Sequence, residues 1–456
     1  MLPTPSRRQS GTDYPSCGVS ENTTKGCDVV SPHGEEKELE ASTVNKECPV
    51  PVTPLIPKDE YPDGGLRAWL VVFGAACSTF STFGYVNSWG VFQSYYSEEL
   101  LRDQSPSSIA WIGSMQYALV FIPALPIGRL FDVGYHKLPM LFASILLVAS
   151  TLVIAHCKEY WHFVLVQGLL VGGACGCLFG AVSPCVAHYF MRRRGNAMGL
   201  VAFGSSVGGT AFPIMTRHLI TAVGFPWTMR IIAFLLIITT GIPLLTMRRR
   251  LPPVITPGGM FTLTAFKYTP YSIYSSCAFV SFLGLYTVLT FIDISAVSWG
   301  VSPDYSFYLV AIANGASGFG RVIGGLISDK VGAGNVMIPS NFVCAILTFA
   351  WPFARTKASL TVIAVIYGFG VGSYVSLNAV PIIAMGEIGD AGRRIGMFMT
   401  ILSAGALIGP PISGAINDRT GGYEAVGYYA GSMILAGMGL MMLSRHLVLG
   451  GWKGKF

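Results

Sequence analysis

The chain has 456 residues, 52% of them hydrophobic and 12% charged, and a net charge of +7. A soluble domain carries about 25% charged residues; with a mean hydropathy of +0.55, this composition excludes a water-soluble globule and fits a surface that mostly faces lipid. The positive charge lies in short loops between apolar runs, which fits the inner side of a membrane and excludes nucleic acid as a partner.

In chain order, residues 1–62 are polar and Pro-rich, with Glu35, Glu36, Lys37, Glu38 and Glu40 in one run. They can bury too little apolar surface to fold, so a disordered cytosolic tail is expected, in which the sequon Asn22-Thr23-Thr24 stays inert. No apolar stretch of signal-peptide type precedes residue 60, so the first span is expected to act as the insertion signal. A span needs about 20 apolar residues, and in lipid its backbone must be helical. Twelve stretches qualify, at about 66–92, 108–131, 138–156, 162–187, 196–216, 226–247, 271–296, 305–328, 336–354, 358–384, 394–416 and 424–444. The expected fold is an all-α membrane protein with six-helix bundles at 63–247 and 271–445. A cytosolic linker at 248–270 joins them, and a cytosolic tail at 446–456 follows. Basic residues such as Arg192, Arg193, Arg194, Arg248, Arg249 and Arg250 fall in alternate loops, which puts both termini in the cytosol.

Asp63-Gly64-Gly65 opens the first span, and Asp63 is expected to cap it. The latter half of that span, through Asn87 and Ser88, is polar enough to line a cavity. Gly172, Gly176 and Gly180 form one stripe on the fourth span, suited to close helix packing. The second span ends in Gly128-Arg129-Leu130-Phe131-Asp132. Its counterpart in the second half is Gly325-Leu326-Ile327-Ser328-Asp329-Lys330. Two such copies, each closing the second span of its half, point to a duplicated unit of the kind secondary transporters use. Gly128, Arg129, Asp132, Asp329 and Lys330 are therefore the expected gate residues, with a plain topology anchor as the alternative. A carboxylate there can meet a cation or the free N–H groups of a neighbouring helix.

Arg321 stands eight residues before Asp329, roughly 12 Å from the end of its span. A cation so deep costs about 2.5–3.5 kcal/mol on insertion scales and normally faces a cavity or a partner. Asn314 and Ser317 share its helix face, which makes a polar stripe able to bind an anion; pairing with a buried carbonyl is the alternative. Asn87, Gln116, Tyr117, Tyr286 and Asn378 are further cavity candidates, each equally able to make a helix-to-helix hydrogen bond. Asp293 is a possible proton carrier or an interface residue. There is no phosphate-cradling loop, no nucleophile–base set, and no metal-ligand spacing, the Cys175–Cys177 pair included. No cofactor, no metal and no enzymatic activity are expected.

Asp63-Gly64-Gly65 with Trp69, the segment 189–209 and the two Gly-to-Asp loops resemble the monocarboxylate porter family of the major facilitator superfamily. Asn87-Ser88-Trp89-Gly90-Val91-Phe92-Gln93 and the loop at Gly128 resemble its fungal branch. The resemblance covers residues 63–445 and implies twelve helices in two halves around a central site reached from either side in turn. Animal proton-coupled members carry Lys where Asn87 falls and Asp where Ser317 falls, so the coupling pair the family implies is incomplete here, while Arg321 is kept. The expected function is transport of a small organic solute, a monocarboxylate or other organic anion, across the plasma membrane, with protons as a candidate co-solute. Alternatives are an efflux carrier for a fungal secondary metabolite, a facilitator for a neutral or vitamin-like solute, and a membrane nutrient sensor. The expected substrate-binding residues are Arg321, Asn87, Asn314, Ser317, Asn378, Tyr117 and Tyr286.

Overall fold

A computed structural model describes residues 61–253, 259–451 and 453–456. The expected tail up to residue 60, with its sequon and its cysteines, lies outside the described residues. Among the described residues, 12 helices are long and apolar enough to cross a membrane. They are α1 (Gly65–Leu100), α2 (Ser108–Val133), α3 (Lys137–Ile154), α4 (Tyr160–Ala187), α5 (Arg194–Val223) and α6 (Phe225–Thr246) in the first half. In the second half they are α7 (Thr269–Ser298), α8 (Pro303–Val331), α9 (Ala333–Phe353), α10 (Lys357–Ala384), α11 (Ile388–Thr420) and α12 (Tyr423–Leu449). Their outward sides carry bare apolar residues: Leu245 is 76% exposed, Phe319 67% and Phe142 65%. This belt is where the missing charge of the composition goes.

α1 runs past the expected end to Leu100. Glu98 and Glu99 hide this in a hydropathy reading, but Phe92 and Tyr96 are buried and pack with Phe163 and Phe225 inside the first half. The glycine stripe of α4 meets α2. A side chain placed on Gly176 would stand 2.2 Å from the Leu119 carbonyl oxygen. The second half repeats the arrangement, with Gly372 of α10 against the Ser317 carbonyl of α8 at the same 2.2 Å. Gly204 of α5 lies likewise on α1, and Gly405 of α11 on α7. The same helix pairs are thus in backbone contact in both halves, which is how the duplication shows in three dimensions.

Five helices are interrupted: α1 at Asn87–Ser88, α2 at Ile122–Pro123, α4 at Ala181, α7 at Tyr286 and α10 at Asn378. The first and fourth helices of each half are among them. Irregular backbone at membrane depth is tolerated where it is buried in protein or lines a cavity. The start of α1, the end of α12 and the turns α2–α3, α4–α5, α8–α9 and α10–α11 share one face, here termed the terminal face.

Gly176→Leu should remove the α2–α4 contact and destabilise the fold by about 1–3 kcal/mol or more, whereas Gly173→Ala, with open space around it, should be tolerated. Thermal unfolding of the two purified variants in detergent checks this.

Candidate functional site

Midway through the bundle, five helices bring polar side chains together. Arg321 of α8 donates from Nε to Ser317 Oγ, one turn back, at 3.1 Å. Its Nη1 donates to the Ala202 carbonyl of α5 at 2.7 Å and to Ser205 Oγ. The N–H groups of Nη2 have no partner among the described residues. Tyr286, at the break in α7, lies within electrostatic reach of the guanidinium. Its ring is 6.3 Å from that of Tyr117 on α2. Tyr117 donates its hydroxyl hydrogen to Asn87 Oδ1 at 2.5 Å, at the break in α1. Asn87 and Asn314 then meet over Gly209 of α5. A side chain there would come within 2.7 Å of Asn87 Nδ2, and Asn314 Nδ2 donates to the Gly209 carbonyl at 3.4 Å. A larger residue at Gly209 would have to displace the Asn87 amide.

Six of the seven expected binding residues thus form one group. Asn378 does not join it. Its carbonyl accepts from Tyr274 at 3.0 Å, and Tyr274 lies about 18 Å along α7 from Tyr286 toward the terminal face. The break in α10 puts Asn378 at that depth, where its Oδ1 is buried without a partner among the described residues. The backbone of Gln116 lies against Gly172 of α4, and its side-chain oxygen is buried without a partner among the described residues. The pairing of Arg321 with a carbonyl, the alternative drawn from the sequence, is present, yet it occupies only part of the guanidinium. Ser205 and Ala202 were not legible as partners, because the Gly-rich run of α5 reads as packing alone.

At the terminal face the halves meet through two matching contacts. Asp132, at the end of α2 and 2% exposed, accepts from Gly392 N at 3.1 Å and Arg393 N at 2.8 Å, in the first turn of the long helix of α11. Asp329, at the end of α8, accepts from Gly195 N at 2.7 Å and Asn196 N at 3.1 Å, in the first turn of α5. A carboxylate satisfies orphan N–H groups at a helix start and is favoured by its dipole. Glycines allow the approach: Gly128 lies on the Gly392 carbonyl and Gly195 on Gly325. Arg129 is half-buried nearby, whereas Lys330 is exposed and outside the contact.

Each contact is supported from behind. Arg249, after α6, donates to the carbonyls of Phe131 and Asp132 at 2.6 and 2.8 Å, which caps the end of α2. After α12, the chain returns to the α8–α9 turn, where the Gly454 carbonyl accepts from Asn335 at 2.9 Å. The expected role of Asp63 is corrected. It makes no cap on α1, whose first residue is preceded by Gly64 without a side-chain bond. Its Oδ1 accepts instead from the backbone of Met191, Arg192 and Arg193 at 2.7, 2.8 and 3.2 Å. The left-handed backbone of Asp63, at φ 44, turns the carboxylate across to the α4–α5 loop.

With this geometry stands a family match: the Major Facilitator Superfamily over residues 71–380 and again over 274–448. The chain belongs to the Major Facilitator Superfamily. It is a membrane transporter of that superfamily and not an enzyme. It is 38% identical to MFS-type transporter 1 of an Ophiocordyceps species, over 90% of this chain and 92% of that one. It is 36% identical to the aspyridones efflux protein of Emericella nidulans, over 88% of this chain and 82% of that one. The fujikurins efflux protein of Gibberella fujikuroi is also 36% identical, with 85% and 84% covered. In fold the chain matches the human organic anion transporter MFSD10 at TM-score 0.67 and 14% identity, covering 82% of this chain and 98% of that one.

In this transporter a buried histidine packs behind the α2 contact. His188 is buried, with its ring 5.0 Å from that of Phe131. Burial pushes its pKa down to about 3, helped by the nearby charges of Arg249 and Arg250. His136 is lowered for the same reason. A histidine held neutral in the fold contributes stability that is whole above its unfolded value, near 6.5, and is lost as pH falls below that. Acidification from pH 7 to 5 should therefore cost the native protein about 2 kcal/mol through His188. Melting temperature against pH checks this, and His188→Leu should flatten the profile.

Proposed function

We propose that this transporter exports an organic acid, a secondary metabolite, from the cytosol by alternating access. The observation that carries the reading is the central Arg321, held in place by Ser317, Ser205 and the Ala202 carbonyl while Nη2 remains open for a ligand. A guanidinium with free N–H groups holds a carboxylate or enolate by charge-assisted hydrogen bonds. Tyr117 and Tyr286 offer flat apolar faces beside it, and Asn87 and Asn314 offer amides for the rest of the solute. The resemblance to monocarboxylate porters at Asp63-Gly64-Gly65 supports an acid as cargo. The relatives named as efflux proteins support export of a secondary metabolite.

The basic loops put the terminal face in the cytosol, and the plasma membrane is the boundary we assign. Asp132 and Asp329 lock that face while the site is open to the other side, and both contacts break when it opens inward. Asp132→Asn and Asp329→Asn keep an oxygen acceptor but lose the charge that favours a helix start. Each should reduce transport severalfold with modest effect on folding. Two variants that reach the membrane and transport normally would leave the residues as topology anchors.

Arg321→Gln should abolish binding. Arg321→Lys should impair it nearly as much, because Lys keeps the charge but not the planar fork. Uptake and efflux in vesicles against a panel of carboxylates, vitamins and polyketide-like acids, at equal protein content, checks this. Unchanged affinity in Arg321→Gln would make the residue structural and a neutral solute the better reading.

A further inference from the structure

Among the described residues, no acidic residue in the middle of the bundle cancels the Arg321 charge. The acidic residues of the spanning helices are Glu98, Glu99, Asp132, Asp293, Asp304, Asp329, Asp390, Asp418 and Glu424. All but Asp293 stand within about one turn of a helix end. Asp293 is on α7, seven residues beyond Tyr286, and so about 10 Å nearer the face opposite the terminal one. The titratable side chains beside the guanidinium, Tyr286 and the Tyr117 next to it, are phenols. The other groups that meet it are neutral: Ser317, Ser205 and the Ala202 carbonyl. A guanidinium keeps its proton throughout the physiological range.

The empty site therefore carries one positive charge and the site loaded with a monoanion carries none. We propose that the membrane potential alone drives export in this transporter: the empty site returns to the cytosolic side as a cation, and the loaded site crosses as a neutral pair with no coupled proton. The proposal rests on the anion site assigned above to Arg321. Its charge balance is simple. With the cytosol negative, the potential favours the switch that exposes a cation to the cytosol. An anion binds there, the neutral pair switches, and the anion leaves on the other side. One negative charge moves outward per cycle and nothing else needs to move. At roughly 2.3 kcal/mol per charge per 100 mV, and about 1.4 kcal/mol per tenfold, a potential of about 60 mV sustains a tenfold gradient.

The test needs no identified solute. The purified full chain is placed in a planar bilayer without added substrate, and the voltage is stepped. Charge follows the field whichever way a molecule is inserted, so mixed orientations add rather than cancel. The expected result is a transient, saturable charge movement, equal and opposite at the two edges of the step, approaching one elementary charge per molecule. It should vanish in Arg321→Gln, persist in Arg321→Lys and in Asp293→Asn, and be unchanged between pH 6 and pH 8. The absence of any charge movement in the wild type would overturn the proposal. So would a movement that survives Arg321→Gln, or one that disappears in Asp293→Asn or at the higher pH. Solute binding lost in Arg321→Gln without a charge movement in the wild type would sink this inference and leave the anion site standing.

Discussion

A carboxylate at the end of one helix, received by two N–H groups at the start of another, joins the two halves of this molecule. It occurs twice, at Asp132 with Gly392 and Arg393 and at Asp329 with Gly195 and Asn196. Much of the terminal face is arranged to present these partners. Asp63 holds the backbone of residues 191–193 just before the N–H groups that Asp329 uses. Arg249 donates to the Asp132 carbonyl beside the Asp132 carboxylate and adds a second donor to the Phe131 carbonyl, which also accepts from Gly134 N. A helix end inside protein has unsatisfied groups of one sign on each side. Here the N–H surplus of one half and the acid of the other answer each other, and added cations answer the carbonyls.

The central group uses different chemistry. Its hydrogen bonds are between neutral groups, apart from those of Arg321, and they fix orientation more than they add stability. Tyr117 occupies Asn87 Oδ1, which leaves the amide hydrogens of Asn87 facing Gly209 and the space between the halves. Two of the helix interruptions, at Asn87 and Tyr286, fall in this group, so the backbone there is irregular where polar side chains converge.

The number of helices, their approximate ends and their doubling were legible in the sequence because each depends on local composition or on a repeated motif. Arg321 was legible because a cation within an apolar run is expensive and therefore conspicuous. Asn87, Asn314 and Tyr117 read correctly as polar residues within spans, but nothing local distinguished them from Asn378, a polar residue within a span at a different depth. What stayed hidden were contacts made by backbone. For Asp132 and Asp329 the sequence allowed the N–H groups of a neighbouring helix but did not say which helix, because backbone N–H groups carry no sequence signature, and Ala202 enters the Arg321 group only through its carbonyl. Asp63 was misread for a related reason. Its place before α1 suggests a local cap, while its left-handed backbone, invisible in sequence, directs the side chain elsewhere.

The glycine contacts between α2 and α4, and between α8 and α10, have a mechanical consequence. Backbones that touch over a stripe of glycines leave no soft layer of long side chains between them, and neither helix can slide far before meeting the next turn. Each half then behaves as a stiff lever about 45 Å long, the length of a 30-residue helix such as α5. For a pivot halfway along, parting one face by about 8 Å takes a relative rotation of roughly 20°. The same rotation narrows the opposite face by a similar amount, so with levers this stiff the two faces cannot both stand wide open.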